Sequence, residues 1–394
     1  VTQKTRNLLI RSSWQTVNIG DIGHTPGLLC MLEKYLPDMS VTLWAFHVDN
    51  GVDKMLYARF PKLKIVQGKL VDGKADNPAL AEAVELADLL LHGSGPGIVA
   101  REDLETWRKW IGKPYGIYGV TVDPVHDQLL PLLNEARFIY CRDTITRDAL
   151  MSRQVTSPVI TFGPDATFDS DLVNDAKAKN YLQHVGLADK TFVCFIPRLR
   201  YTPYFQIHHF QPNEEQQQRH QISLKHCETD HAKLRHAITR FVRETGHHVL
   251  ICPEMTYEVQ LGQEVLFEPL PDDVKQKVVA RDCYWLPDEA ASIYRHATAM
   301  VSFEMHSPIL AHRMGTPAIL VRQPTDTCKG QMWRDVQLAD WMFEVDETDG
   351  NEIANRLTDI VTCPEQTREK LKASRTYVDR CMKEASQTIS NELK

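Results

Sequence analysis

The chain has 394 residues, of which 43% are apolar and 25% charged, and its formal net charge is −7. That length and balance admit two globular domains of ordinary size and exclude a disordered or fibrous protein. An acidic total excludes a general nucleic-acid binder, which needs a basic face against phosphate, and no apolar run approaches the ~20 residues of a membrane span.

The first half alternates strand and helix. Leu8–Ser12, Val41–Val48, Leu63–Gln67, Ala87–Leu91, Tyr115–Val120, Arg137–Arg142 and Pro158–Phe162 read as short apolar strands, most of them separated by helical patterns. Such alternation predicts a doubly wound parallel α/β sheet. In the turn after the first strand, Thr25 reads as a helix cap and Pro26 as the first helical residue. The polar stretch after Phe168 reads as a connector. A second series follows, with strands at Phe192–Pro197, His247–Cys252, Asp282–Leu286, Ala299–Phe303 and Ala318–Val321. Helices are expected over Asp230–Gly246, Val259–Leu266, Pro271–Ala280 and Pro287–Ala297. The expected division is therefore an N-terminal Rossmann-like domain over 1–170, a second over 171–346, and a helical segment over 347–394.

The stretch Tyr201–His231 breaks the pattern, being rich in Gln and His without clear periodicity, and directly follows a strand end. It reads as a substrate-covering loop. Its histidines, at 208, 209, 220, 226 and 231, fit no metal-ligand spacing and read as solvated side chains. Neither a metal nor a bound organic cofactor is expected. The nine cysteines (Cys30, Cys141, Cys194, Cys227, Cys252, Cys283, Cys328, Cys363, Cys381) are widely spaced with no CxxC pair. They read as small apolar residues of a reduced protein. The cytoplasm is the expected location, since no signal peptide is visible, and a leader preceding Val1 would instead place the protein outside it.

Glu304-Met305-His306 is the most informative triplet. The apolar strand Ala299–Phe303 delivers an acid and a histidine to the start of a helix over Met305–Met314, which Gly315 stops. Open α/β sheets bind ligands at such strand ends, and free N–H groups there favour an anion and a neutral imidazole. His306 is thus a candidate base or proton shuttle. Its alternative is a packed turn residue, with Glu304 as a plain helix cap.

Other strand ends carry candidates of the same kind. Asn18, Gly20, Asp21 and His24 follow the first strand, in a pattern that matches neither GxGxxG nor a P-loop. Gly93, Ser94 and Gly95 follow Leu91, where glycine lets a ligand approach backbone or merely makes a tight turn. Arg142 and Asp143 end another strand before a helix with Thr144 as its candidate cap; Arg198, Arg200 and Lys329 follow strands of the second half. Four cations at strand ends of an acidic chain suit a carboxylate or phosphate, although each alone also reads as a solvated charge.

Asn18-x-Gly20-Asp21, Gly93-Ser94-Gly95, Arg142-Asp143, Gly163-Pro164-Asp165-Ala166, Arg198, and the run Ser302–Val321 with Lys329 beyond it resemble, in this order, the polysaccharide pyruvyl transferase family. The resemblance spans about residues 8–346. It implies a GT-B-like fold of two Rossmann-like domains facing across a cleft, and transfer of the enolpyruvyl unit of phosphoenolpyruvate onto a sugar diol as a pyruvate ketal. It further implies that Arg142, Arg198 and Lys329 hold the donor's carboxylate and phosphate, and that His306 transfers protons. Asp21 and the Gly93 turn would lie on the acceptor side, and Asp165 near the inter-domain crossing. The expected partners are a carbohydrate or polysaccharide and an anionic small molecule, with the assembly state unspecified.

The chain departs from the family at one place. Where the family carries Arg-x-His, Glu304 stands two residues before His306. A carboxylate there repels a polyanionic donor. Arg322 or Arg313 is a candidate replacement for the missing charge. The alternatives are hydrolysis of an acidic or pyruvylated glycan by Glu304 and His306, with Asp21, Asp143 or Asp165 as second carboxylate, and glycan binding without turnover.

Overall fold

The computed structural model describes residues 6–393, and the chain divides into two compact units. One unit takes the chain up to Thr16, Asp21–Asp171, and Thr376 onward; the other takes Val17–Gly20 and Leu172–Arg375. The tail over 347–394, expected as a segment of its own, is divided between them.

In chain order the first half runs β1 (Asn7–Ser12), α1 (Ile19–Tyr35), β2 (Ser40–Ala45), α2 (Val52–Arg59), β3 (Lys64–Val66), the small hairpin β4 (Leu70–Val71) and β5 (Lys74–Ala75), then α3 (Pro78–Leu86) and β6 (Leu89–His92). It continues with α4 (Arg101–Thr106), β7 (Tyr115–Val120), α5 (Leu130–Glu135), β8 (Ile139–Cys141), α6 (Thr144–Ser152) and β9 (Ile160–Phe162). Seven strands form one parallel sheet in the order β3-β2-β1-β6-β7-β8-β9. Helices cover both faces of such a sheet, so its strands are apolar without alternation. Every residue of β6 and β7 is buried.

The second half runs α7 (Asp175–Val185), β10 (Phe192–Ile196), α8 (Tyr204–Ile207), α9 (Glu214–Thr245), β11 (His248–Ile251), α10 (Glu258–Leu261), α11 (Asp272–Lys275), β12 (Val278–Ala280), α12 (Pro287–His296) and β13 (Ala299–Ser302). After these come α13 (His306–Met314), β14 (Ala318–Arg322), α14 (Gln331–Asp335), β15 (Met342–Glu344), α15 (Gly350–Thr362) and α16 (Pro364–Glu392). The parallel sheet order is β12-β11-β10-β13-β14-β15. The doubly wound α/β expectation thus holds in both units.

Each sheet reverses its winding once, between β1 and β6 in the first and between β10 and β13 in the second. The carboxyl ends flanking such a reversal form the crevice where open α/β sheets bind ligands. Ser12–Trp14 and His92–Gly95 leave the first crevice; Arg198 and Glu304 leave the second.

Several local expectations fail for physical reasons. Helix α1 begins at Ile19, so Pro26 lies inside it; Asn18 Oδ1 accepts the Gly20 N–H at 2.6 Å at the true start, while the Thr25 hydroxyl meets Ser12 Oγ at 2.8 Å. The strand expected over 282–286 is loop, because Trp285 turns inward and donates its Nε1–H to Pro253 O at 2.9 Å. The edge strand is Val278–Ala280, placed where a helix was expected. Tyr201–His231 is not all loop, since Asn213 and Gln216 form a reciprocal capping box that starts the 32-residue α9. His231 is wholly buried there, its ring 5.3 Å edge-on from Phe303, and burial pulls its pKa down to about 4. It is not a solvated loop histidine.

Candidate functional site

In the first unit the residues singled out by sequence meet around Asp165. Asp165 caps a short 3-10 turn by accepting the Thr167 N–H at 2.9 Å. Its other oxygen accepts from Arg142 Nη1 at 2.9 Å and lies 3.3 Å from His24 Nε2. His24 Nδ1 is in turn 3.9 Å from Asp21, one helical turn earlier on α1. The order Asp21, His24, Asp165, Arg142 is therefore a line of alternating acid and base, buried except at Asp21. Two glycines let α1 approach this turn: a Cβ at Gly23 would lie 2.9 Å from Thr167 Cγ2, and one at Gly27 would lie 2.9 Å from Thr167 Cα.

Arg142 Nε donates to Thr121 Oγ1 at 2.8 Å, which itself donates to Asp143 Oδ2 at 2.8 Å. Arg142 Nη2 is buried with no hydrogen-bond partner. Its side chain has no exposed surface, so its charge acts within the protein, on Asp165 and Thr121. Asp143, not Thr144, caps α6, accepting the Thr146 N–H at 2.7 Å. Held by that N–H and by Thr121, Asp143 is not placed as a second catalytic carboxylate.

Gly93, Ser94 and Gly95 are explained by internal packing. A Cβ at Gly93 would sit 2.8 Å from Ser12 Oγ, and one at Gly95 3.0 Å from Trp14 Nε1. Ser94 O accepts the Trp14 Nε1–H at 2.6 Å, and Ser94 Oγ accepts the Ala166 N–H at 3.1 Å. The turn ties β6 to β1 across the crevice of the first sheet.

In the second unit, Arg198, Glu304, His306 and Lys329 belong to one neighbourhood. Arg198 Nε lies 2.9 Å from Glu304 Oε1 without pointing its N–H along the contact, and Arg198 Nη1 donates to Asp326. Burial dominates the Glu304 carboxyl, pushing it up to about 7; Glu254 and Asp326 add to this, while Arg198 and Lys329 oppose it. A carboxyl raised in this way holds its proton more readily than an ordinary one and repels an anion less. Arg322 does not replace a missing cation, because Glu344 holds it at 2.7 Å. Arg313 lies in the last turn of α13, the far end from Glu304.

Glu304 does not cap α13. That role falls to Glu254, whose Oε2 accepts the Ser307 N–H at 2.6 Å and whose Oε1 lies 3.5 Å from His306 Nδ1. The helix N-terminus thus meets a protein carboxylate, where sequence suggested a vacancy for an anionic ligand. Burial works against the Glu254 charge, but His306 and Ser307 outweigh it and hold its pKa below the usual range. Beside it, Glu258 Oε2 accepts the N–H groups of Glu254 and Met255 at 2.6 and 3.0 Å, and burial together with Glu304 and Glu254 drives the Glu258 carboxyl well upward. One acid of this buried trio is held charged and one neutral, with Glu304 between.

The segment Val17–Gly20 serves this same neighbourhood. Ile19 N–H donates to Glu254 O at 3.0 Å, Thr256 N–H donates to Val17 O at 3.1 Å, and Asn18 bridges to Met255. Gly20 faces the imidazole of His306 so closely that a Cβ there would overlap the ring. Glu254, Glu258 and Asp326 were not among the residues expected from sequence. The signal was present in Pro253-Glu254-Met255-Thr256-Tyr257-Glu258, two acids just beyond the carboxyl end of an apolar strand.

Arg200, like Arg198, is held by two carboxylates. Asp230 takes it in a two-pronged pair at 2.8 and 2.9 Å, and Asp346 also accepts from it. One edge of Arg200 still lines a pocket of about 230 Å³ formed by the chain after β10, the start of α9, and Thr325 and Lys329. Arg198, Arg219, His220 and Lys329 line it too, and its lining residues include no carboxylate.

The comparisons fit this architecture. A glycosyltransferase from Rickettsia africae is 10% identical with a TM-score of 0.60, covering 99% of each chain. A UDP-GlcNAc 2-epimerase from Neisseria meningitidis, bound to UDP-GlcNAc, is 10% identical with a TM-score of 0.60, covering 98% of this chain and 100% of its own. At such identities the likeness speaks for the fold, which is GT-B-like. No curated protein sequence matches the chain significantly. The family model for polysaccharide pyruvyl transferase matches residues 18–323, and the chain belongs to that family, as a carbohydrate-active transferase.

Proposed function

We propose that this transferase moves the pyruvyl unit of an anionic donor, phosphoenolpyruvate, onto two hydroxyls of a sugar or polysaccharide. The observation that carries the reading is the second crevice: a pocket lined by cations and no carboxylate, beside an acid with its pKa near 7 and a histidine oriented by a buried glutamate. Ketal formation uses those groups. Glu304 in its neutral form gives a proton to the methylene carbon, which becomes the methyl group. Carbon 2 then accepts the oxygen of the first hydroxyl, whose proton passes to His306. Phosphate leaves carbon 2 with the bonding pair, steadied by the cations of the pocket, and takes up the proton of the second hydroxyl as that oxygen closes the ketal. The imidazole returns its proton to Glu304, and the atoms balance as donor plus diol to ketal plus phosphate.

Asp21, His24, Asp165 and Arg142 are proposed as the acceptor-handling line of the first unit, with Asp21 as the member that reaches solvent. The Gly93–Gly95 turn supports that line through Ser94. Arg200 acts as a wall of the donor pocket rather than as a mobile clamp.

Incubation with phosphoenolpyruvate and diol-bearing glycans tests the proposal by phosphate release and by the ketal methyl signal. His306→Ala is expected to lower turnover by about 10²–10⁴-fold, the usual range for one proton-transfer group. Absence of phosphate release with every acceptor, under conditions where the donor binds, would dismiss phosphoenolpyruvate as the donor.

A further inference from the structure

The pocket after β10 has a feature that the transfer reading does not require. Part of its wall comes from α9, the helix that begins inside the stretch Tyr201–His231. Gln216, Arg219 and His220 lie on its first two turns and line the cavity together with Arg198, Arg200 and Lys329. The cations of the two walls differ in how they are held. Arg198 and Arg200 are anchored from behind by Glu304 and Asp326, and by Asp230 and Asp346. Their N–H forks are therefore fixed in direction, which suits geometric recognition. Arg219 is half-exposed, it pairs at the surface with Glu215 at 2.5 Å, and its guanidinium lies 5.3 Å from the Tyr201 ring. Such a surface pair contributes little, so Arg219 can turn to a ligand at small loss.

His220 adds an independent sign. Its ring is set edge-on to Phe205 at 5.2 Å, and its Nδ1 is buried without a hydrogen-bond partner. Buried polar atoms are almost always satisfied. His220 also lines the pocket, and a turn of its ring would bring this unsatisfied nitrogen to a ligand oxygen. A pocket of about 230 Å³ has room for a phosphate group and the few atoms attached to it. Three or four convergent cations exceed what a single carboxylate uses and match a dianion with three acceptor oxygens.

We propose that this pocket is a phosphate-monoester subsite, and that Arg219 and His220 are the residues by which the enzyme selects a phosphorylated donor over a free 2-oxo acid. The proposal rests on the transfer reading given above and assigns the leaving phosphate, rather than the carboxylate, to the α9 wall. The carboxylate is left to Arg198.

The test measures binding to the full chain by calorimetry, with inorganic phosphate, phosphoenolpyruvate, pyruvate and glucose 6-phosphate as separate probes. Arg219→Gln, which leaves a polar helix surface, is expected to weaken phosphate and phosphoenolpyruvate by roughly tenfold and to leave pyruvate unchanged. His220→Phe is expected to weaken the same two probes by about threefold. Equal phosphate affinity in wild type and Arg219→Gln overturns the subsite. So does Arg219-dependent binding of glucose 6-phosphate without binding of phosphoenolpyruvate, which would give the pocket to a phosphorylated acceptor. Arg219-dependent phosphate binding with no phosphate released from phosphoenolpyruvate keeps the subsite and refutes the transfer reading. Normal turnover and donor KM in Arg219→Gln does the reverse.

Discussion

Glu304→Gln is the most informative single change, because its effect on stability has a predictable sign and pH window. A glutamic acid of ordinary value near 4.5 has been carried to about 7, chiefly by burial. Between those values the folded chain keeps a proton that the unfolded chain has released. Stability contributed at this position is therefore intact below about pH 4.5, falls as pH rises, and reaches its full deficit above about pH 7. At about 1.36 kcal/mol per pH unit the interval corresponds to roughly 3 kcal/mol. Glutamine imitates the protonated carboxyl and does not titrate. The variant and wild type should show similar urea midpoints near about pH 4.5, whereas above about pH 8 the variant should be more stable by up to roughly 3 kcal/mol. Parallel denaturation curves at several pH values measure this directly. A variant that is equally or less stable at high pH would refute the reasoning, since it would show that the pair with Arg198 at 2.9 Å holds Glu304 charged at no net penalty. Donor affinity should follow the same titration, tightening as pH falls through about 7 in wild type and losing that component in Glu304→Gln.

The remaining predictions concern groups placed by packing. Gly20→Ala should displace His306 and lower turnover, with a stability loss of about 1–3 kcal/mol from overpacking; normal turnover would show that the imidazole position is not critical. Arg142→Met should destabilise the chain by about 3–5 kcal/mol by leaving Asp165 buried without its cation, as read from thermal unfolding. Arg200→Ala should show a comparable loss through Asp230, and a small loss in stability with a large loss of donor binding would instead make Arg200 a ligand clamp. Glu254→Ala should cost about 1–3 kcal/mol through the orphaned Ser307 N–H at the start of α13, checked by the same unfolding measurement.

Most strands were legible because buried parallel strands are uninterrupted apolar runs, and all seven of the first sheet and four of the second lie where such runs occur. The edges were not. Val278–Ala280 was absorbed into the helical pattern that starts at Pro271, Met342–Glu344 ends its short apolar pair on an acid, and Trp285 imitated a strand while anchoring a loop. Helix α9 was half missed because its outer face is Gln- and His-rich; the Asn213/Gln216 box was the available sign. At the site, residues next to glycine turns and strand ends were visible from sequence, but pairing was not. That Arg200 is tied to Asp230 and Asp346, or that Glu254 supports His306, depends on contacts between segments far apart in the chain.

The short segment Val17–Gly20 has a bearing on how this protein can be taken apart. A gene fragment starting at Leu172 would retain the whole second sheet, yet it would lose the peptide that pairs with Met255 and backs the His306 ring. Such a truncation should refold with its cation-lined pocket intact and its imidazole loosened, and adding a synthetic peptide spanning 15–22 in trans should tighten it again. Half-proteins and chimaeras of this enzyme therefore need a tether carrying those few residues, wherever else the cut is made.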